Sequence, residues 1–316
     1  MTTDYPNDAT PDRKTAKPAV ADAQTQRALA RVRTALERRN GAEAIRFFKD
    51  AVAHGLIRED EALLVWLRQA MGDDAAEKLL AAYARLPCFY CHSGVIPCEE
   101  CNGRGHDADN RPCAECLALG VDRCGFCGGS GWFTINHVPG AFRLRVMARR
   151  VAAAAKEAET LLAAAKVAVS PANLREARKA AAKTLLQGNR LLCVLENMRL
   201  AATQAELYQP DSGEIVAKIV AACAKLSPPL SARVHELLTM LAEVAALEAA
   251  AAKRSSSRRM AEARCEFYRH VVSSRNSATT LLAHPFLYRE DSGTAPPAKP
   301  ADTASESDTV SEAGDR

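Results

Sequence analysis

The sequence predicts a mostly α protein, a helical bundle with coiled-coil hairpins, into which one small cysteine-rich β-hairpin domain is inserted. Three observations predict it. Hydrophobic residues make up 48% of the 316 but aromatics only 5%. Much of the apolar share is alanine, which suits slender helices meeting along Ala/Leu seams. In the C-terminal half, apolar residues recur at alternating steps of three and four, the period of one helix face. Finally, eight of the eleven cysteines crowd between Cys88 and Cys127.

In chain order, residues 1–20 are rich in Pro, Asp and Thr and predict a disordered tail. They carry no apolar signal core, so the expected location is cytoplasmic. No run approaches 18 purely apolar residues, so no membrane span is expected. A formal net charge of +4 is too small to indicate a nucleic-acid partner by itself. Residues 21–86 predict an N-terminal helical region in three pieces. Breaks are expected at Arg39-Asn40-Gly41, at His54-Gly55 and at Gly72-Asp73, with Asp73 or Asp74 capping the helix that follows. Leu63, Leu64, Trp66, Leu67, Leu79, Leu80 and Tyr83 offer it a small apolar face, and His54 reads as a loop or C-cap residue.

Residues 87–135 carry the chemistry. The eight cysteines form four C-x-x-C pairs: Cys88/Cys91, Cys98/Cys101, Cys113/Cys116 and Cys124/Cys127. Two thiolates three residues apart can take adjacent corners of one tetrahedron, so four pairs supply two closed four-cysteine shells, the arrangement of structural zinc. The expectation is two Zn²⁺ per chain and no open coordination position for catalysis. A redox role would need an accessible thiolate free to leave its partner, which metal ligation prevents. Spacing alone allows two pairings, nested or sequential.

Glycines follow the pairs. Cys98-Glu-Glu-Cys101-Asn-Gly103-Arg-Gly105 and Cys124-Gly-Phe-Cys127-Gly-Gly129-Ser-Gly131 both read C-x-x-C-x-G-x-G. The first pair has its glycine, Gly94, one place late, and the third keeps only Gly120. These four units resemble the cysteine-rich zinc domain of the DnaJ chaperones, over about one sixth of the chain. The resemblance implies nested pairing, with Cys88, Cys91, Cys124 and Cys127 on one zinc and Cys98, Cys101, Cys113 and Cys116 on the other. It also implies binding of unfolded or partner protein. It extends no further, because the only His-Pro, His284-Pro285, is followed by Phe286 and makes no J-domain loop.

Residues 140–290 predict a bundle of long helices. Leu144, Met147, Val151, Ala154, Ala158, Leu161, Ala165 and Ala168 form one 3–4 stripe, and Leu174 through Ala202 form a second. Ser170-Pro171 is expected to stop one helix and open the next. A short helix over 212–226 and a longer one over 229–283 should follow, and residues 291–316 predict a second disordered tail. Cys193, Cys223 and Cys265 read as buried packing residues.

No P-loop, nucleophile elbow or metalloprotease motif is present, so the chain is expected not to be an enzyme. The cysteine domain carries six acidic residues against three basic ones, and each filled four-thiolate centre adds a formal −2, so it should repel phosphate. The expected partner is therefore a protein, either an unfolded client or a second copy joined through the helical seams. Nucleic acid remains the alternative, through the basic clusters Arg143/Arg145/Arg149/Arg150 and Lys253/Arg254/Arg258/Arg259/Arg264. The cysteine domain itself is expected to project between the two helical regions, with Phe89, Tyr90, Val95, Ile96, Leu117, Leu119, Phe126, Trp132 and Phe133 divided between closing the hairpin internally and facing an apolar partner segment.

Overall fold

A computed structural model describes residues 23–60, 62–164, 169–206 and 213–273. Both expected tails, the stripe positions Ala165 and Ala168, and the end of the last helix fall outside them. The architecture is mostly α with one two-stranded sheet.

Four helices, not three, build the N-terminal region: α1 (Ala23–Glu37), α2 (Gly41–Ala53), α3 (Leu63–Met71) and α4 (Asp73–Arg85). The three breaks lie close to the expected places, and three breaks make four helices. Asn40 caps α2 by accepting from the Glu43 N–H at 3.1 Å, and His54 is its C-cap. Gly72, not an aspartate, caps α4, because its φ of 88° turns the chain sharply between two helices. Asp73 and Asp74 instead occupy the first turn, where the helix dipole favours carboxylates.

Two cores result. The first gathers Val32, Phe48, Leu67, Leu79, Leu80 and Tyr83 from α1–α4. The second lies among α5 (Gly140–Ala163), α6 (Leu174–Glu206), α7 (Gly213–Ala251) and α8 (Ser255–Ser273). Helix α5 serves both. Phe142 and Val146 enter the first core, while Leu144, Met147, Val151, Ala154, Ala158 and Leu161 face the second. One helix showing two apolar faces locks the halves together.

The seams are close. A Cβ on Gly188 of α6 would lie 3.0 Å from Val234 of α7, and Arg178 near the start of α6 pairs with Glu248 near the end of α7. The two helices are therefore antiparallel. Arg190 of α6 pairs with Glu157 of α5. Cys193, Cys223 and Cys265 are buried, and burial pushes the thiols of Cys193 and Cys223 up to about 11, as befits packing residues.

Three boundaries differ from expectation. Pro171 lies in a turn, and Asn173 starts α6 by accepting from the Ala177 N–H. Pro228 and Pro229 lie inside α7 instead of separating two helices. The helix survives because Val216, Ile219 and Cys223 before them and Leu230, Val234 and Leu237 after them fill one continuous core. In addition, the Ser227 hydroxyl takes up the Cys223 carbonyl at 2.9 Å. The break falls instead at Lys253-Arg254, ahead of the serines that open α8.

Among the described residues, α7 alone is long and apolar enough to cross a membrane by length and composition. Expectation had counted only purely apolar runs. Its Leu230, Val234, Leu237, Leu238 and Leu241 are nonetheless spent in the protein core, which is how a core helix of this composition behaves.

Candidate metal centre

Two short strands carry the cysteines. β1 (Val95–Pro97) joins the first pair to the second, and β2 (Val121–Arg123) joins the third to the fourth. They run antiparallel, with Val95 opposite Arg123 and Pro97 opposite Val121. This register sets the first pair beside the fourth and the second beside the third. Isolated bridges close both ends of the hairpin, Pro87 with Trp132 at the base and His106 with Pro112 at the tip.

Cys88, Cys91, Cys124 and Cys127 form one group, and Cys98, Cys101, Cys113 and Cys116 the other, all sulfurs of a group lying within 4.8 Å of one another. Of the two pairings that spacing allows, the fold has the nested one. Across each group the sulfur distances are 4.0 and 3.7 Å, and 3.9 and 3.7 Å. A tetrahedron with Zn–S bonds of ~2.3 Å has edges of ~3.8 Å. A disulfide would need ~2.05 Å, and all eight cysteines are free thiols. The two groups therefore suit two Zn²⁺ per chain.

The backbone completes the cages. Gly105, Gly120 and Gly131 each donate an N–H to the sulfur four residues earlier, Cys101, Cys116 and Cys127, at 3.2, 3.2 and 3.3 Å. The glycine retained in the degraded third unit is thus the one whose amide the sulfur uses. Gly120 also has no room for a side chain, since a Cβ there would stand 2.4 Å from the Gly103 carbonyl oxygen. Burial pushes the thiols of Cys91, Cys98, Cys116 and Cys127 up. Burial acts the same way on Cys101 and Cys124 but is outweighed there, so those two come down. At Cys101 the Gly105 N–H acts together with the side chains of Cys98, Cys116 and Cys113. At Cys124 the N–H groups of Cys127 and Phe126 act together with the side chains of Cys127 and Cys91. Four adjacent buried thiolates become tolerable once a divalent cation neutralises them.

The cysteine module lies against the helices instead of projecting from them. Leu117 is 1% exposed and belongs to the second core, with Ala118, Leu119 and Trp132 packed on it. The Tyr268 hydroxyl of α8 donates to the Leu117 carbonyl at 3.2 Å. Asn197 of α6 donates to the carbonyls of Cys127 and Gly128 at 3.2 and 3.3 Å. Leu117 and Ala118 hold φ of 53° and 59°, strained for residues with a Cβ. Ala118 stands where the unit pattern has a glycine, and Leu117 fills the free position before it with a side chain that ties the module to the bundle.

Trp132 at the base lies between two guanidiniums, Arg150 at 5.5 Å and Arg190 at 6.0 Å from its ring centre. Arg150 is 1% exposed and donates to the carbonyls of Ala84 and Tyr83 at 3.2 and 3.1 Å, the C-terminal end of α4. Burial lowers its pKa to about 10. Its neighbour Arg149 pairs with Glu77, and Arg143 donates to the Val138 and Asn136 carbonyls at 2.9 and 3.1 Å. This basic cluster is therefore largely spent inside the protein. His92, His106 and His137 join neither metal group.

Phe89, Tyr90 and Phe126 remain outside, at 66%, 66% and 38% exposed. They occupy the middle positions of the first and fourth pairs, beside the first metal group. Tyr90 packs on Phe126 at 4.4 Å, and both Phe89 and Phe126 lean on the buried Phe133 at 5.4 and 5.7 Å. His137 stacks on Phe126. No protein-family model, no curated protein and no solved structure matches this chain.

Proposed function

We propose that this chain is a non-enzymatic, zinc-stapled scaffold whose cysteine module is of the DnaJ type and captures an apolar segment of an unfolded or partner protein. The observation that carries the reading is the aromatic patch of Phe89, Tyr90 and Phe126, three of the six large hydrophobic side chains left exposed among the described residues. Clustered exposed aromatics on a rigid support make efficient docking anchors, since little side-chain entropy is lost on binding. The nested pairing and the glycine amides on sulfur support the family part of the reading. Closed four-thiolate shells, with no ligand position for water, support the absence of catalysis.

The test uses a permanently unfolded client, reduced and carboxymethylated α-lactalbumin. The zinc-loaded chain should bind it. Replacing Phe89, Tyr90 and Phe126 together by Ser should weaken binding by about tenfold or more, from the loss of aromatic anchors, with zinc content unchanged. Binding that is absent, or that survives the triple change, would sink this reading.

A further inference from the structure

One groove is used neither by the metal centres nor by the aromatic patch. It opens between the tip of the cysteine module and helices α6, α7 and α8, and it encloses about 400 Å³. Its polar wall is basic, with Arg104 from the tip, Arg175, Arg178 and Lys179 from the first turns of α6, and Arg264 from α8, and His106 of the tip also lines it. No carboxylate lines it. Leu119, Leu241, Met260 and Tyr268 supply an apolar wall.

Part of that positive charge is already answered. Glu248 lies behind the wall and pairs with both Arg178, at 3.0 Å, and Arg264, at 2.7 Å. The second metal group, once filled, is formally −2, and Arg104 lies along it with its Nε donating to the Cys101 carbonyl at 3.1 Å. Against the five Arg and Lys side chains of the groove, these groups leave about two positive charges unanswered. Arg175 and Lys179 are exposed and make no ion pair among the described residues. Arg264 adds an independent sign, because its Nε is buried with no hydrogen-bond partner, an arrangement that costs free energy unless an acceptor arrives.

We propose that this groove binds a small phosphate-bearing ligand of the nucleoside diphosphate class. Phosphate oxygens suit the guanidinium forks of Arg175, Arg178 and Arg264 and the ammonium of Lys179. The ring of the ligand lies on Leu119 and Met260, half-buried apolar side chains of the groove. A volume of this size falls in the range of small-molecule sites. Because the zinc centre contributes to the charge balance and to the position of Arg104, the ligand reports on the second metal group.

The experiment is calorimetric titration of the zinc-loaded full chain with ADP, pyrophosphate and adenosine. ADP binds most tightly, pyrophosphate more weakly, and adenosine not measurably. The double variant Arg175→Gln/Lys179→Gln loses at least about tenfold in ADP affinity, while its zinc content and helical circular dichroism match the parent. Absence of binding by both ADP and pyrophosphate at millimolar concentration overturns the proposal, as does unchanged affinity in the double variant. Binding of an RNA homopolymer with steep salt dependence but none of ADP also overturns it, in favour of a nucleic-acid face. None of these outcomes bears on the aromatic patch, which lies beside the other metal group.

Discussion

Cys116→Ser is expected to lower bound zinc from two per chain to one and to loosen the helical bundle along with the cysteine module. A structural zinc is worth ~10 kcal/mol or more to the fold it closes. The turn after Cys116 depends on it twice over. Leu117 and Ala118 hold left-handed φ at a cost of roughly 1–2 kcal/mol each, and closing the cage around Cys116 is expected to hold them there. When the cage opens, Leu117 leaves the second core and the bond from Tyr268 to its carbonyl is lost. Burial of one leucine and one buried hydrogen bond together amount to about 3 kcal/mol. For a cooperative unit of this size that shifts the melting temperature of the helices by roughly 10 °C. Thermal denaturation followed by circular dichroism, with zinc measured on the same sample, checks it. A variant that loses one zinc but melts at the parent temperature would mean that the module does not brace the bundle.

The second large effect is expected at Arg150. Its guanidinium is buried with no carboxylate at hand, and the end of α4 answers its charge through two carbonyls, as the negative end of a helix dipole does. It also supports Trp132, and through it the base of the cysteine module. Arg150→Ala removes both hydrogen bonds, leaves the Tyr83 carbonyl with only the Leu86 N–H and opens a cavity between the two cores. Losses of this kind cost about 3–5 kcal/mol. Arg150→Lys keeps the charge but not the planar fork, and should recover only part of it. Urea denaturation measures the loss, and hydrogen exchange should place the earliest opening in α4. An Ala variant within about 0.5 kcal/mol of the parent, the range of an ordinary surface change, would contradict this role.

The parts of the fold that were legible in the sequence are those written in local spacing. The C-x-x-C pairs mark the eight ligands, because three residues fix a tetrahedron's edge whatever the surroundings, while which pairs share an ion is set by the strand register. The stripes Leu144 to Leu161 in α5 and Ala177 to Ala202 in α6 declare their buried faces by period alone. What spacing could not carry was tertiary. Pro228-Pro229 reads as a stop, yet packing on both sides holds the helix together across it. Arg150 belongs to a run of arginines that looks like a solvated face, and only the approach of α4 turns it inward. Leu117 and Trp132 are apolar residues in a small domain, as able to be exposed as buried. The bundle decides between those fates, and its position relative to the hairpin is not encoded within the hairpin.

The central claim is that eight sulfurs hold two ions and so make the module a rigid brace. Its most direct test is the zinc-to-chain ratio of the purified native protein, measured together with alkylation of its cysteines before and after chelation. The account predicts a ratio of two, with Cys88, Cys91, Cys98, Cys101, Cys113, Cys116, Cys124 and Cys127 protected until the metal is removed and reactive afterwards. A metal-free chain with those cysteines joined as disulfides, or alkylated at once, would contradict it.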